Sequence, residues 1–137
     1  MAKYAGKDLE LLISQGGTPE TFAVVGQVVS MGDVGSSRSL VDASAYGDDW
    51  KDYVVGQQDG NELELEIAYD PANTQHTALV TTYDAGTKKN FELRHTPATF
   101  HVRFPAIVTA LARGGEREGL LRMTATLKIV GPITNVP

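Results

Sequence analysis

The side chains that could do chemistry are three histidines and two groups of carboxylates. His76, His95 and His101 lack the spacing of metal ligands, and a metal site needs a fuller ligand set than two histidines on neighbouring strands. The nucleotide-binding, metalloprotease and serine-hydrolase motifs are absent. We therefore expect no catalytic residue, no metal and no cofactor. Serine, histidine and aspartate all occur, so a triad assembled by the fold remains an open alternative.

The first group of carboxylates lies in a polar stretch, Gly47 to Asn61. Asp48, Asp49 and Asp52 lack the Asx-rich pattern and central glycine of a calcium loop, so they predict a solvated surface or an electrostatic contact with a partner. The same stretch contains Trp50, Tyr53, Val54 and Val55. Either the aromatic residues fold back onto the core, or the stretch is an adhesive hairpin, because aromatic residues are enriched where protein surfaces meet.

The second group of carboxylates alternates with apolar residues in a short run. Such alternation predicts a strand with one buried and one wet face, so these glutamates are better explained as a wet face than as acid/base pairs. The glutamates are Glu62, Glu64 and Glu66, and the apolar residues are Leu63, Leu65, Ile67 and Tyr69.

Composition excludes several classes of protein. A chain of 137 residues without cysteine predicts a single domain, residues 1–137, stabilised by packing rather than by disulfides. The net charge is −5, and the densest basic group, Arg113, Arg117 and Arg122, is interrupted by Glu116 and Glu118, which argues against tight DNA binding. We find no signal peptide or membrane-spanning pattern, so we expect a cytoplasmic protein without membrane insertion.

Strand patterns dominate the remaining sequence. The run from Thr21 to Met31 is apolar on both parities, which predicts a strand covered on both faces, with a neighbouring subunit as a candidate for the second cover. The apolar parity changes at Pro105, which predicts a bulge or an edge position there. One helix is expected from Asp70-Pro71, with Thr74 as a competing cap, to a cap at Gly86. Further strands are expected at 8–15, 40–46, 89–95, 99–111 and 120–130.

A set of spaced residues carries a family resemblance. Over residues 8–132 the chain resembles the major tail tube proteins of long-tailed bacteriophages with non-contractile tails, and the tube proteins of gene transfer agents. The residues that carry it are Trp50, Gly56, Asp59, Gly60, Leu63, Leu65, Tyr69 and Pro71, together with Lys128 and Gly131 in the closing strand.

The resemblance implies a mainly β fold and a structural role. The fold is two packed antiparallel sheets, a sandwich or partly open barrel, with one flanking helix and a long polar loop. Residues 8–132 form the core, 1–7 and 133–137 form terminal arms, and 47–61 form a loop between rings. Hexameric rings stack into a tail tube that conducts double-stranded DNA. The implied partners are sister copies, a tape measure protein, a tail terminator and distal tail proteins, and assembly in the host cytoplasm leads to the virion tail.

Three surfaces follow from this interpretation as hypotheses. The inter-ring loop is expected to use Asp48, Asp49, Trp50, Asp52 and Tyr53. The inter-subunit strand is expected to use Phe22, Val24, Val25 and Val28. The lumen is expected to be lined by some of the acids Asp33, Asp42, Glu62, Glu64 and Glu66.

Two rival functions stay open. One is the inner-tube ring protein of a contractile tail or secretion device, which shares the architecture. The other is a small β-barrel that binds an apolar ligand in an internal cavity. An enzyme is the least favoured class, because the sequence offers no active-site pattern.

Overall fold

The computed structural model describes residues 3, 6–17, 19–115 and 117–135, which form ten strands, one α-helix and a short 3-10 turn at Gly6–Asp8. The strands are β1 (Leu9–Gly16), β2 (Thr21–Val25), β3 (Val28–Met31), β4 (Ser36–Asp42), β5 (Tyr53–Gly60), β6 (Glu62–Ala68), β7 (Lys89–His95), β8 (Phe100–Gly115), β9 (Leu121–Ile129) and β10 (Thr134–Asn135), and the helix is α1 (Thr74–Ala85). The predicted mainly β fold with one helix is confirmed. Among the described residues, no helix has the length and apolar character needed to cross a bilayer.

One long strand, β8, lies at the middle of an eight-stranded antiparallel sheet, and β4 and β5 form a separate two-stranded sheet. Its residues 100–106 pair with β7 and its residues 106–115 pair with β9, so the strand order is β2-β1-β7-β8-β9-β6-β3. Strand β10 pairs with the first part of β8, so Thr134 and Asn135 of the expected terminal arm lie in the sheet. The arm residues 1, 2, 4, 5, 136 and 137 lie outside the described residues.

Both halves of the eight-stranded sheet bury side chains in one core. Leu11, Ile13 and Phe91 of β1 and β7 belong to the same apolar cluster as Leu63 of β6 and Leu127 of β9. Strand β6 contributes to this core through its alternating sequence. Its leucines and isoleucine point inward and are fully buried, while its glutamates point outward. Burying each such side chain stabilises the fold by roughly 1.5–3 kcal/mol. The sheets do not close into a barrel.

The predicted single strand from Thr21 to Met31 is wrong in one respect, because Gly26 and Gln27 divide it into β2 and β3. Gln27 has a φ of 62°, which is outside the strand region. The kink is held by the buried His76, whose Nε2 lies 2.7 Å from the Gly26 carbonyl oxygen, and by the Ala68 N–H, which donates to the Gln27 carbonyl at 2.9 Å. The two halves thereby occupy opposite edges of the strand order.

The predicted parity change at Pro105 is also wrong. Val102, Phe104, Ala106 and Val108 are all buried, so the same parity faces the core on both sides of the proline. The register shift lies further on, between Val108 and Ala110. At Pro105 the pairing partner of β8 instead changes from β7 to β9, and a pattern of apolar residues within one strand does not show such a change.

The helix begins three residues later than its predicted Pro71 start. Asn73 is the N-cap, and its side-chain oxygen accepts from the N–H groups of the helix's second and third residues at 2.9 and 3.3 Å. Asp70 instead accepts from the Ala72 N–H in the preceding turn at 3.0 Å. The predicted cap at Gly86 is confirmed, with a left-handed φ of 65°.

Candidate assembly surfaces

The predicted polar loop is a protruding β-hairpin. Strands β4 and β5 pair from Ser36 opposite Gly60 to Asp42 opposite Tyr53, and residues 43–52 form the tip. The prediction of a strand at 40–46 and an unpaired loop at 47–61 is therefore wrong in its boundaries. The missed signal is the pairing of two weakly apolar segments across a polar tip, which no single-segment pattern reveals.

The hairpin continues the edge of the main sheet. Strand β3 pairs with β6, the Asn61 N–H donates to the Gly35 carbonyl at 2.9 Å, and β4 and β5 follow directly. A strand of seven residues such as β4 extends the ladder by about 20 Å. Every residue of β4 and most residues of β5 are exposed, so the hairpin does not fold back on the domain.

The hairpin exposes large apolar side chains. Trp50 is 87% exposed at the tip, and Tyr46 is exposed beside it. Val41 and Val54 form one cross-strand pair, and Leu40 and Val55 form the next, so both faces of the hairpin carry uncovered apolar residues. The interpretation in which Trp50 and Tyr53 fold onto the core is wrong, and the adhesive-hairpin interpretation fits the geometry. An exposed apolar surface of this kind is typical of surfaces that bind another molecule.

Acidic side chains organise the tip. The Asp42 carboxylate accepts from the Ser44 N–H at 2.9 Å, and this hydrogen bond lowers the pKa of Asp42. The Asp48 carboxylate accepts from the Ala45 N–H at 2.6 Å. The Asp52 N–H donates to the Ser44 hydroxyl at 2.8 Å. The tip is thus a built turn, since its own side chains satisfy its backbone donors.

Lys128 fixes the base of the hairpin. Its ammonium group donates to the Gly60 carbonyl and lies 3.1 Å from the Asp59 carboxylate. At Gly60 a Cβ would lie 2.3 Å from the Ile129 carbonyl oxygen, so only glycine lets β5 pass β9 this closely. Three residues that carried the family resemblance therefore join the hairpin to the domain.

The expected inter-subunit strand lies at the sheet edges. Phe22, Val24 and Val25 are in β2, which pairs with β1, and Val28 begins β3, which pairs with β6. Among the described residues, neither strand has a second ladder partner. Val25 is buried in the core and Val24 is 42% exposed. The ring of Phe22 lies 4.5 Å below the guanidinium carbon of Arg103.

The structure brings four of the five candidate lumen acids into one region. Glu62, Glu64 and Glu66 lie on the outer face of β6, and Asp33 follows the glycine whose N–H donates to the Glu64 carbonyl at 2.9 Å. Asp42 lies at the far end of the hairpin and is not part of this row. The Glu66 carboxylate forms an ion pair with Arg122 at 3.3 Å.

Sequence reasoning missed a buried carboxylate in β7. Glu92 is fully buried, and it accepts hydrogen bonds from Arg94 at 2.5 Å and Arg103 at 2.9 Å. Arg94 lies two residues from Glu92 in the same strand, whereas Arg103 lies opposite it in β8. The cross-strand arginine is visible as a signal only once β7 and β8 are known to pair.

Two of the three histidines make structural hydrogen bonds to the backbone. His76 bridges the helix to the β2–β3 kink, and the His95 ring accepts from the Ala98 N–H at 3.2 Å in the turn after β7. Within the described ranges, no group of three or more histidine or acidic side chains could hold a metal ion.

Three solved structures show where this fold occurs. The tail of an empty gene transfer agent particle, refined with C6 symmetry, matches 98% of this chain and 100% of its own at 16% identity and a TM-score of 0.77. The SPP1 tail tube matches 97% of this chain and 78% of its own at 12% identity and a TM-score of 0.76. The match to the sheath-tube complex of an extracellular contractile injection system covers 98% of this chain and 93% of that one, at 11% identity and a TM-score of 0.66.

At these identities the solved structures establish the fold alone. No curated protein gives a significant match. The family model of the lambda phage tail tube protein matches residues 19–134, which is most of the chain and includes the hairpin, both free edges and the acidic row. The chain therefore belongs to the lambda phage tail tube protein family, and it is a structural protein of a virion tail.

Proposed function

We propose that this chain closes into hexameric rings that stack into a tube for double-stranded DNA, and that its role is architectural rather than catalytic. The observation that carries the proposal is the combination of two free strand edges with one protruding hairpin. Family membership and the C6 symmetry of the similar gene transfer agent tail support the ring.

The edges suit ring closure. Strands β2 and β3 end the strand order at opposite sides, and each edge leaves backbone donors and acceptors available to another copy. A contact that joins one edge to a different edge is heterologous, and it closes into a ring when the rotation between copies is a simple fraction of a turn. On this basis Phe22, Val24, Val25 and Val28 contribute to the contact between subunits.

The hairpin suits stacking. It extends the β3–β6 ladder past the end of the sheet, so it would cross from one ring to the next if the strands run along the tube. Asp48, Asp49, Trp50, Asp52 and Tyr53 lie at or beside its tip, where the next ring would be met. Burying the exposed aromatic residues there would supply the apolar part of the contact.

The acidic row suits a DNA conduit. A lumen with cationic groups would bind phosphates and release counterions, whereas carboxylates repel the duplex and let it slide. Glu62, Glu64, Glu66 and Asp33 are candidates for this lining, and Asp42 is better placed for the contact between rings. A density map of the assembled tube tests this directly. An acidic row on the outer wall would overturn it.

The remaining partners are those that the family resemblance implies. Its two ends would expose unpaired ring surfaces, so they require proteins of matching symmetry, which are the implied tail terminator and distal tail proteins. A tape measure protein would occupy the lumen before DNA does.

A contractile inner tube is the second candidate, because the similar sheath-tube complex has the same fold. A sheath gene beside the gene for this chain would favour it. The ligand-binding barrel is disfavoured, since the described core is filled with apolar side chains and the sheets stay open.

Electron microscopy of concentrated protein tests the main proposal. We expect sixfold rings and tubes with a central hole. Protein that remains monomeric at millimolar concentration, by microscopy and by sedimentation, would overturn it.

A further inference from the structure

We infer that the hairpin tip of one copy docks on the opposite end of a copy in the next ring, where Trp50 enters an apolar groove with Arg122 at its rim. This inference rests on the proposed stacking, and it names the receiving surface. We call that surface the arginine end, defined by Val29, Arg113, Arg117, Leu120 and Arg122.

The two surfaces lie at opposite ends of the same strands. Strand β6 pairs with β9 from Glu62 opposite Lys128 to Ala68 opposite Arg122. The hairpin joins β6 at the Glu62 end, whereas the β8–β9 turn lies at the Ala68 end. The ladder separates them by the length of β6, which is about 20 Å.

A polymer that grows in one direction requires this arrangement. Head-to-tail stacking joins two different surfaces of each copy, and the surface at one end must complement the surface at the other. The tip is a projection, so its complement must be a recess.

The arginine end contains an apolar recess. A groove of about 270 Å³ lies between Val29 and Leu120, with Gly119 at its wall and Glu66 and Arg122 at its rim. Val29 is 59% exposed and Leu120 is 68% exposed, so both apolar side chains are uncovered in the single copy. An indole is the kind of anchor that such a recess with a charged rim accommodates.

The tip is acidic, and the arginine end carries exposed cations. The hairpin from 42 to 53 contains four aspartates and one lysine, whereas the arginine end has three arginines among Glu66, Glu116 and Glu118. Arg122 is held in place by Glu66, and the Arg113 guanidinium carbon lies 6.0 Å from the centre of the Tyr69 ring. Both arginines are exposed, as is Arg117, so they can meet the acidic tip. Complementary charge of this kind fixes orientation and speeds encounter.

A charge-swap series tests the docking. Asp42 and Asp48 hold the tip turn, so the acidic swap uses Asp49→Arg with Asp52→Arg, and the basic swap uses Arg113→Glu with Arg117→Glu. Each swap alone is expected to raise the concentration at which tubes first form about tenfold, while rings persist. A chain carrying both swaps is again self-complementary, and its tubes are expected to return.

Trp50→Ala tests the apolar anchor and is expected to shorten tubes without affecting rings. The matched controls are Tyr83→Ala for an exposed aromatic residue elsewhere, and Asp84→Arg with Lys88→Glu for a charge exchange at the end of α1. Both controls should form normal tubes. Circular dichroism confirms that each variant is folded before assembly is scored.

The outcomes distinguish a failure of the docking assignment from a failure of the proposed function. If single swaps form normal tubes, or if the double swap forms rings but no tubes, the docking assignment is overturned while the tube itself stands. If the unaltered chain forms neither rings nor tubes, the proposed function is overturned and the docking is lost with it.

Discussion

Glu92 and Glu20 show how single charges are built into this fold. Glu92 lies in β7 and Glu20 in the turn before β2, and each is held by at least one polar neighbour from another element. Glu92 is held by Arg94 and Arg103, and Glu20 is held by Ser14 and Asn90. Arg94 is in the same strand as Glu92, whereas the other three partners come from separate segments and stabilise the tertiary arrangement.

Removing the charge of Glu92 should destabilise the domain. Its carboxylate is buried, whereas its two arginine partners are partly exposed and can turn toward water. We expect Glu92→Gln to lower the free energy of unfolding by about 2–3 kcal/mol, as for a lost charged hydrogen bond. Urea denaturation measures this. Glu62→Gln on the exposed row is the control, with an expected change within about 0.5 kcal/mol.

Glu20 should make stability fall in acid. A hydrogen bond from the Ser14 hydroxyl at 2.5 Å is the main reason that the pKa of Glu20 lies below its ordinary value of 4.5. Because the folded pKa is the lower one, the stabilisation is complete above about pH 4.5 and is lost as the pH falls through the folded pKa. Unfolding measured from about pH 7 to pH 3 should show a shallower acid decline for Glu20→Gln. Parallel curves for the two proteins would contradict this assignment.

At the scale of elements, the hairpin is separable from the core. Its strands carry no member of the apolar core cluster, and its base is fixed by the ammonium of Lys128 and by the close passage of Gly60. It is also a built structure with a hydrogen-bonded tip, so it presents its side chains in a fixed order. A separable and ordered projection is suited to making contacts between copies.

Shortening the hairpin should therefore leave a folded domain that cannot stack. The change removes residues 40–55 and joins Ser39 to Gly56 through Asn-Gly, a sequence that favours a tight hairpin turn. The removed side chains are exposed, so the thermal midpoint should shift by only a few degrees. Microscopy should show rings without tubes. Normal tubes from this variant would remove the role of the hairpin in stacking.

At the scale of the whole molecule, the free edges limit what a single copy can do. Within the part of the chain that the structure describes, strands β2 and β3 each pair with one other strand, and Val24 and Val29 are exposed on them. Proteins that remain monomeric protect such edges with charges, prolines or bulges. Here β2 presents an apolar sequence instead, which is consistent with an edge that a sister copy covers.

A charge on the β2 edge should block ring formation. Val24→Lys places an ammonium on a residue that is 42% exposed, so the fold should tolerate it while edge pairing with another copy should not. Sedimentation velocity should report monomers in place of hexamers. Thr81→Lys on the exposed face of α1 is the control and should assemble normally. Hexamers of Val24→Lys would show that β2 is not at the subunit contact.

The sequence by itself determined the fold class and most elements. Period-two alternation placed β6 and β9 nearly to the residue, since each has one buried face and the pattern is a direct record of that burial. The bounds of β7 were also predicted, although Glu92 is buried on its other face. The helix cap at Gly86 was also predicted correctly, because the left-handed backbone at the end of a helix favours glycine. The spaced residues around Trp50 and Lys128 indicated the family. The match of the family model to residues 19–134 confirms it.

The tertiary structure decided everything that depends on pairing between distant segments. Three features depend on which strand lies beside which. They are the break between β2 and β3 at Gly26–Gln27, the change of pairing partner at Pro105 and the burial of Glu92 against two arginines. The acidic tip and the arginine end likewise became opposite ends of one molecule only through the register of β6 on β9. Local patterns report burial along one segment, whereas register is set by contacts between segments far apart in the chain, and a single sequence does not record them.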